Sequence, residues 1–195
     1  MVRYAPLVLA LLVGCATTED LERGYVEYAT SPQFKLNRII TLAIVPGVEI
    51  VDTADSSLMD LREEISRKAY DFLLRELMKV PTFDIVERRD LDKVMEELEL
   101  SNSPVALREE APRLGKLLGA QAVAYFTLLE ADRIVYPFGD DEIGWFYRLT
   151  GTLKILDVET GRLLYQATAT AEGSDLSGTL EKLIRKCVSP LRLRR

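Results

Sequence analysis

The sequence predicts an α/β fold: a single compact domain in which a mixed β-sheet is flanked by helices, in the order β-α-β-α-α-β-β-β-α. Three observations predict it. In the first half of the chain, short β-rich apolar runs alternate with apolar residues spaced by three and four. From residue 121 the period becomes two, in 121–129, 143–157 and 163–172. A last run, 176–189, returns to helical spacing. Strands that alternate with helices and then follow one another directly place helices against a sheet that is partly parallel and partly antiparallel.

The elements follow in order. "IITLAIVP" is a short apolar run stopped by Pro46, a buried strand. Residues 47–57 read as a polar loop. Leu58, Leu61, Ile65, Ala69, Phe72, Leu73 and Leu77 then mark one face of a helix, with Asp55, Ser56 or Ser57 as its cap and Pro81 beyond its end. "FDIV", 83–86, is a second strand. Leu91, Val94, Met95 and Leu98 mark a second helix, started by Asp90. Leu107, Leu114, Leu117 and Leu118 mark a third, in which Pro112 must sit in the first turn or at a break, and Gly119 ends it. "QAVAYFTLL", 121–129, is apolar on both faces, as a central strand is. In 143–157, Ile143, Trp145, Tyr147, Leu149, Leu153 and Ile155 point one way, and Arg148, Thr150, Thr152 and Lys154 the other. "DVETG", 157–161, turns that strand into 163–172 as a hairpin. Leu180, Leu183, Ile184 and Cys187 share one side of the final helix.

Composition excludes several chemistries. The chain has 195 residues, 48% of them hydrophobic, enough for a sizeable core, and a formal charge of −6. Its basic residues form no run or stripe apart from Arg192, Arg194 and Arg195 at the C-terminus, so nucleic acid is not an expected partner. It contains no His, which removes Ser-His-Asp and Cys-His triads, histidine zinc sites and histidine acid–base chemistry. Neither a phosphate-binding loop nor a dinucleotide fingerprint occurs. Of the carboxylate pairs, Glu63-Glu64, Glu96-Glu97 and Glu109-Glu110 fall on solvated helix faces, and Asp140-Asp141 lies between strands. The reading is a protein that is not an enzyme and takes no metal or other cofactor.

The N-terminus says where such a protein works. Arg3 is followed by an apolar run, Ala5 to Val13, of signal-peptide length. That run is about half of the ~20 residues a membrane-spanning helix needs. Leu12-Val13-Gly14-Cys15 resembles the bacterial lipobox, in which a signal peptidase cuts before a Cys that carries lipid. The expected division is a signal peptide over 1–14, a lipidated N-terminus and tether over 15–37, and the folded domain over 38–195. Cys15 is the lipid attachment point, with palmitate among its acyl groups, and Ala16 after it favours the outer membrane. With Cys15 lipidated, Cys187 is left as a lone thiol with no disulfide partner in the chain.

"FDIVERRDLDKVMEEL" followed by "LGKLLGAQAVAYFTLLEA" resembles the superfamily of the curli-secretion lipoprotein CsgG and the penicillin-binding-protein activator lipoproteins. The matching residues are Val86-Glu87-Arg88, Leu91 and Leu118-Gly119-Ala120, and "LKILDVETGRLLY" resembles the family's late strands. Phe126 stands where many relatives have Gly. The resemblance spans about residues 39–190. It implies a non-catalytic lipoprotein, anchored in the outer membrane on its periplasmic side, that serves as an envelope assembly or accessory binding module. Its partners would be envelope proteins and the membrane through its lipid, with self-association into a homo-oligomer in view. Two alternatives stay open: a subunit of an oligomeric curli-type secretion pore, and an activator of a cell-wall synthase. The pore branch inserts two β-hairpins, each strand needing ~9–11 residues, and the sequence shows one hairpin of that length, 143–172. The synthase activators need a long arm. Here about 23 residues lie between Cys15 and the first expected strand, spanning at most ~80 Å.

The candidate contact surface is "YPFGDDEIGWFY", 136–147, read as a loop between strands. Trp145 and Tyr147 share parity with Leu149 and belong inside, whereas Phe146 shares parity with Arg148 and faces out. Tyr136, Phe138 and Phe146, beside acidic Asp140 and Asp141, are the expected partner-binding residues, because exposed aromatics bury large area at low entropic cost.

Overall fold

A computed structural model describes residues 26–32, 34, 38–53, 55–86, 110–138 and 142–193. The strands are β1 (Val26–Thr30), β2 (Ile40–Ile44), β3 (Glu49–Asp52), β4 (Phe83–Ile85), β5 (Ala122–Phe138), β6 (Glu142–Asp157) and β7 (Leu163–Gly173). The helices are α1 (Ser56–Asp60), α2 (Arg62–Leu77), α3 (Ala111–Leu117) and α4 (Leu176–Leu193). The seven strands form one mixed sheet in the order β1-β7-β6-β5-β2-β4, with β3 also paired to β5. Pairs β2–β4, β2–β5 and β3–β5 are parallel, and the rest are antiparallel. The α/β class and the mixed sheet flanked by helices are as the periodicity predicts.

Helices α2 and α4 cover one face of the sheet. Ile65, Leu73 and Leu77 of α2 and Leu183, Ile184 and Cys187 of α4 pack with Leu42, Ile44, Leu153, Ile155 and Tyr165 of the strands. Each such side chain, fully buried, contributes roughly 1.5–3 kcal/mol over its exposed state. Tyr165 carries a polar end into this core, and its hydroxyl donates to the Cys187 carbonyl at 2.6 Å. Phe126 also lies here, nearly inaccessible. Its ring fills the space above Gly151, where a Cβ would come within 2.6 Å of Cζ. On the other face α3 covers one end only, packing Ala111 and Leu114 on Val45, Val123 and Val158.

The boundaries follow local chemistry. The Asp55 carboxylate caps α1, accepting from the Ser57 backbone N–H at 3.0 Å and its hydroxyl at 2.6 Å. Leu61 separates α1 from α2, so the single expected helix is two, joined by the Ile65 N–H donating to the Leu61 carbonyl at 2.9 Å. Pro112 lies in the first turn of α3. Gly119, at φ 67°, ends that helix, and the N–H groups of Gly119 and Ala120 close back onto the Lys116 and Gly115 carbonyls. Gly161, at φ 66°, closes the β6–β7 turn.

Three expectations change, and others fall outside the described residues. Val26–Thr30, inside the stretch read as tether, is a strand on β7, so ten residues, 16–25, separate Cys15 from the first strand. Residues 49–52, read as loop, form β3, because Pro46 and Gly47 (φ 89°) break one strand into two that both run along β5. β5 and β6 are longer than read, and the loop 136–147 is mostly strand. The helix expected over Leu91–Leu98, together with Glu87 and Arg88, lies outside the described residues, as do Cys15 and the signal peptide.

Candidate functional site

The extra length of β5 and β6 makes a projecting ribbon. β7 pairs with β6 only as far as Gly173 opposite Tyr147. β3 pairs with β5 only as far as Asp52 opposite Glu130. Beyond those points β5 and β6 pair with each other alone, from Ile134↔Phe146 to Phe138↔Glu142. At ~3.4 Å per residue this arm is roughly 15 Å long.

Ion pairs and a hydrogen bond fix its base. Arg133 Nε lies 3.0 Å from Asp55 Oδ2, and Arg148 Nε lies 2.6 Å from Glu172 Oε1. The Thr53 hydroxyl donates to the Ala131 carbonyl at 2.5 Å. Asp55 is held below the usual carboxylate range, first by the Ser57 hydroxyl and in smaller part by the Arg133 charge. Past the base, neither Ile134–Phe138 nor Ile143–Tyr147 contains a charged residue.

The two faces of the arm differ. Ala131 registers with Leu149, both buried in the main core, so alternation assigns Arg133, Val135, Trp145 and Tyr147 to the helix-bearing side. Ile134, Tyr136, Phe146 and Arg148 take the open side. There the rings pack on one another. The Tyr136 ring lies across Gly144, where a Cβ would meet it at 2.8 Å, and its centroid is 5.8 Å from that of Phe146. The Arg148 guanidinium carbon lies 5.7 Å from the centre of the Phe146 ring. On the helix-bearing side Val135 and Trp145 register opposite each other and stay 60% and 53% exposed.

Of the expected contact residues, Tyr136 and Phe146 are brought together on one face, outside the core. Phe138 registers with Glu142 at the far end of the arm. Its side chain, Asp140 and Asp141 lie outside the described residues. Trp145 corrects the reading: its parity with Leu149 holds, but the core on that side ends at Tyr147, which packs partly against it. The Val135–Trp145 pair went unnoticed. The signal available was the pair of charge-free runs, 134–138 and 143–147, on either side of Asp140-Asp141-Glu142.

Elsewhere the described residues hold no group of His, Cys, Asp and Glu able to bind a metal ion, and no helix long and apolar enough to cross a membrane. Burial pushes the Cys187 thiol up to about 12, well above the range of a reactive thiolate. Glu63 and Glu64 are exposed, and Glu64 pairs with Lys68 at 2.7 Å.

The fold and the arm together define a mixed-sheet α/β domain that presents a two-stranded ribbon beyond its core. The chain belongs to the family of the curli production assembly/transport component CsgG, whose sequence model matches residues 32–131. No curated protein matches the sequence. Among solved structures, a single-residue variant of the PelC dodecamer from Paraburkholderia phytofirmans is similar at 19% identity, covering 88% of this chain and 99% of that one, with a TM-score of 0.51. Lipoprotein GNA1162 from Neisseria meningitidis is similar at 15% identity over 74% of this chain and 92% of that one, with a TM-score of 0.54. The LpoB C-terminal domain from Salmonella enterica has 16% identity over 70% and 83%, with a TM-score of 0.41. The first two likenesses show the fold.

Proposed function

We propose that the protein is a non-catalytic lipoprotein, anchored through Cys15 at the periplasmic side of the outer membrane, that acts as an envelope assembly or accessory module by contact with other envelope proteins. The arm carries this reading: its open face offers Tyr136 and Phe146, preset against Gly144 and Arg148, on a ribbon that the core does not need. The proposed contact residues also include Phe138, Asp140 and Asp141, as the sequence suggests. Self-association belongs to the proposal, supported by family membership and by the dodecameric state of PelC.

The short tether bears on the alternatives. Ten residues reach at most ~35 Å, so the domain stays close to the membrane that anchors it, and a wall-synthase activator acting through a long arm is disfavoured. The arm does supply a hairpin that the pore reading requires. Its charge-free run of five residues per strand is nevertheless about half of the ~9–11 that spanning demands. It also lacks the apolar-out, polar-in alternation of a barrel wall.

The test is a triple variant, Tyr136→Ala, Phe138→Ala and Phe146→Ala. The melting temperature should stay close to the parent's, and crosslinking in the native envelope should no longer capture the partner. Retained capture, or a melting temperature many degrees lower, as core aromatics give when lost, contradicts the assignment.

A further inference from the structure

We infer that the helix-bearing face of the arm, built on the Val135–Trp145 pair, rests on the lipid bilayer and sets the orientation of the domain on it. The inference rests on the anchor at Cys15 and adds a second, non-covalent foothold.

Three observations support a bilayer as the occupant. The first is where the chain leaves the fold. Val26 registers with Ala169 and Thr30 with Tyr165, so β1 begins at the end of β7 nearer Gly173. Gly173 registers with Tyr147 at the base of the arm. The start of β1, from which the chain leads back to Cys15, and the arm therefore lie at the same end of the sheet. β1 and β6 are two strands apart, roughly 10 Å, and the ten residues back to Cys15 reach ~35 Å, so one membrane surface is within reach of both.

The second observation is the division between faces. On the open side the aromatics are packed on one another and on Arg148. On the helix-bearing side Val135 and Trp145 are more than half exposed. An exposed indole with an aliphatic neighbour suits the headgroup boundary, where a ring can bury its body and keep its N–H wet. The third observation concerns charge. Arg133 and Arg148 at the base are each paired with a carboxylate, and neither 134–138 nor 143–147 contains a charged residue. That length suits the shallow burial of interfacial elements, ~5–10 Å deep, rather than a span.

Trp145 is the sole Trp of the chain and reports on the foothold directly. The mature chain is placed in phosphatidylcholine vesicles containing acyl chains brominated near the headgroup. Mass spectrometry establishes whether Cys15 carries lipid. Where it does not, a maleimide lipid coupled to Cys15 supplies the anchor, since Cys187 is buried and does not compete. Failure of native lipidation and failure of the foothold are thus read separately. Trp145 emission should shift to the blue and be quenched by the brominated lipid. In a Trp145→Phe, Phe146→Trp variant, the probe on the opposite face should stay unquenched. Aqueous, unquenched Trp145 emission in the anchored protein overturns the inference, as does equal quenching of the two probes. A blue shift that follows protein concentration without lipid also overturns it, because a second copy then covers the face.

Discussion

Glu76 of α2 is a fully buried carboxylate, and what surrounds it determines its cost. Burial opposes its charge, but hydrogen bonds and charges from Lys79 and Arg192 outweigh that and hold its pKa below the ordinary carboxylate value. Lys79 Nζ lies 2.5 Å from Oε1, and Arg192, near the end of α4, pairs with Oε2 and also donates to the Glu76 carbonyl at 3.2 Å. The group thus fastens the last turn of α4 to the end of α2. Because the folded pKa is depressed, the stability it contributes is present above the unfolded value of ~4.3 and is lost as pH falls below it. Both cations keep partial access to water, so Glu76→Gln at pH 7 should cost about 2 kcal/mol, below the 3–5 kcal/mol range for breaking a fully buried pair. For a chain of this size that is a fall of roughly 4–8 °C in melting temperature. Melting curves of parent and variant should converge at pH 2. A gap as wide there as at pH 7 would show that the loss is one of packing and not of charge.

At the scale of elements, the arm should be separable from the core. Replacing Ile134–Phe146 by an Asn-Gly turn joins Arg133 to Tyr147, which register with each other. The shortened protein should melt within a few degrees of the parent, because the exposed pair contributes little burial. Loss of cooperative melting would show the arm to be part of the fold. Much of the core was legible in the sequence, since Leu149, Leu153 and Ile155 keep a strict period of two and Leu180, Leu183, Ile184 and Cys187 keep the helical one. The Gly119 terminus and the Asp157–Gly161 turn were legible because each rests on local backbone chemistry. β1 and β3 were not. "VEYAT" and "EIVD" are short edge segments largely open to solvent, so they carry little apolar pattern, and only pairing with β7 and β5 makes them strands. The arm was half legible. Its aromatics stood out, but Gly139-Asp140-Asp141 and Pro137 read as loop, and nothing local reveals that β7 stops short of β6.

At the scale of the whole molecule, β1 begins ten residues after Cys15, the proposed anchor, at the end of the sheet from which the arm projects. The anchor has its own test: Cys15→Ser should leave an unprocessed precursor that takes up no palmitate, and normal labelling of that variant would remove the lipid from the account. The central claim is that the arm is the surface through which the anchored domain works. It is tested most directly by crosslinking the full lipoprotein in its native envelope, with and without Ile134–Phe146. Equal abundance and equal lipid labelling, with the crosslinked partner lost from the shortened protein, is the predicted result. The same partner captured at the same yield by the shortened protein would contradict it.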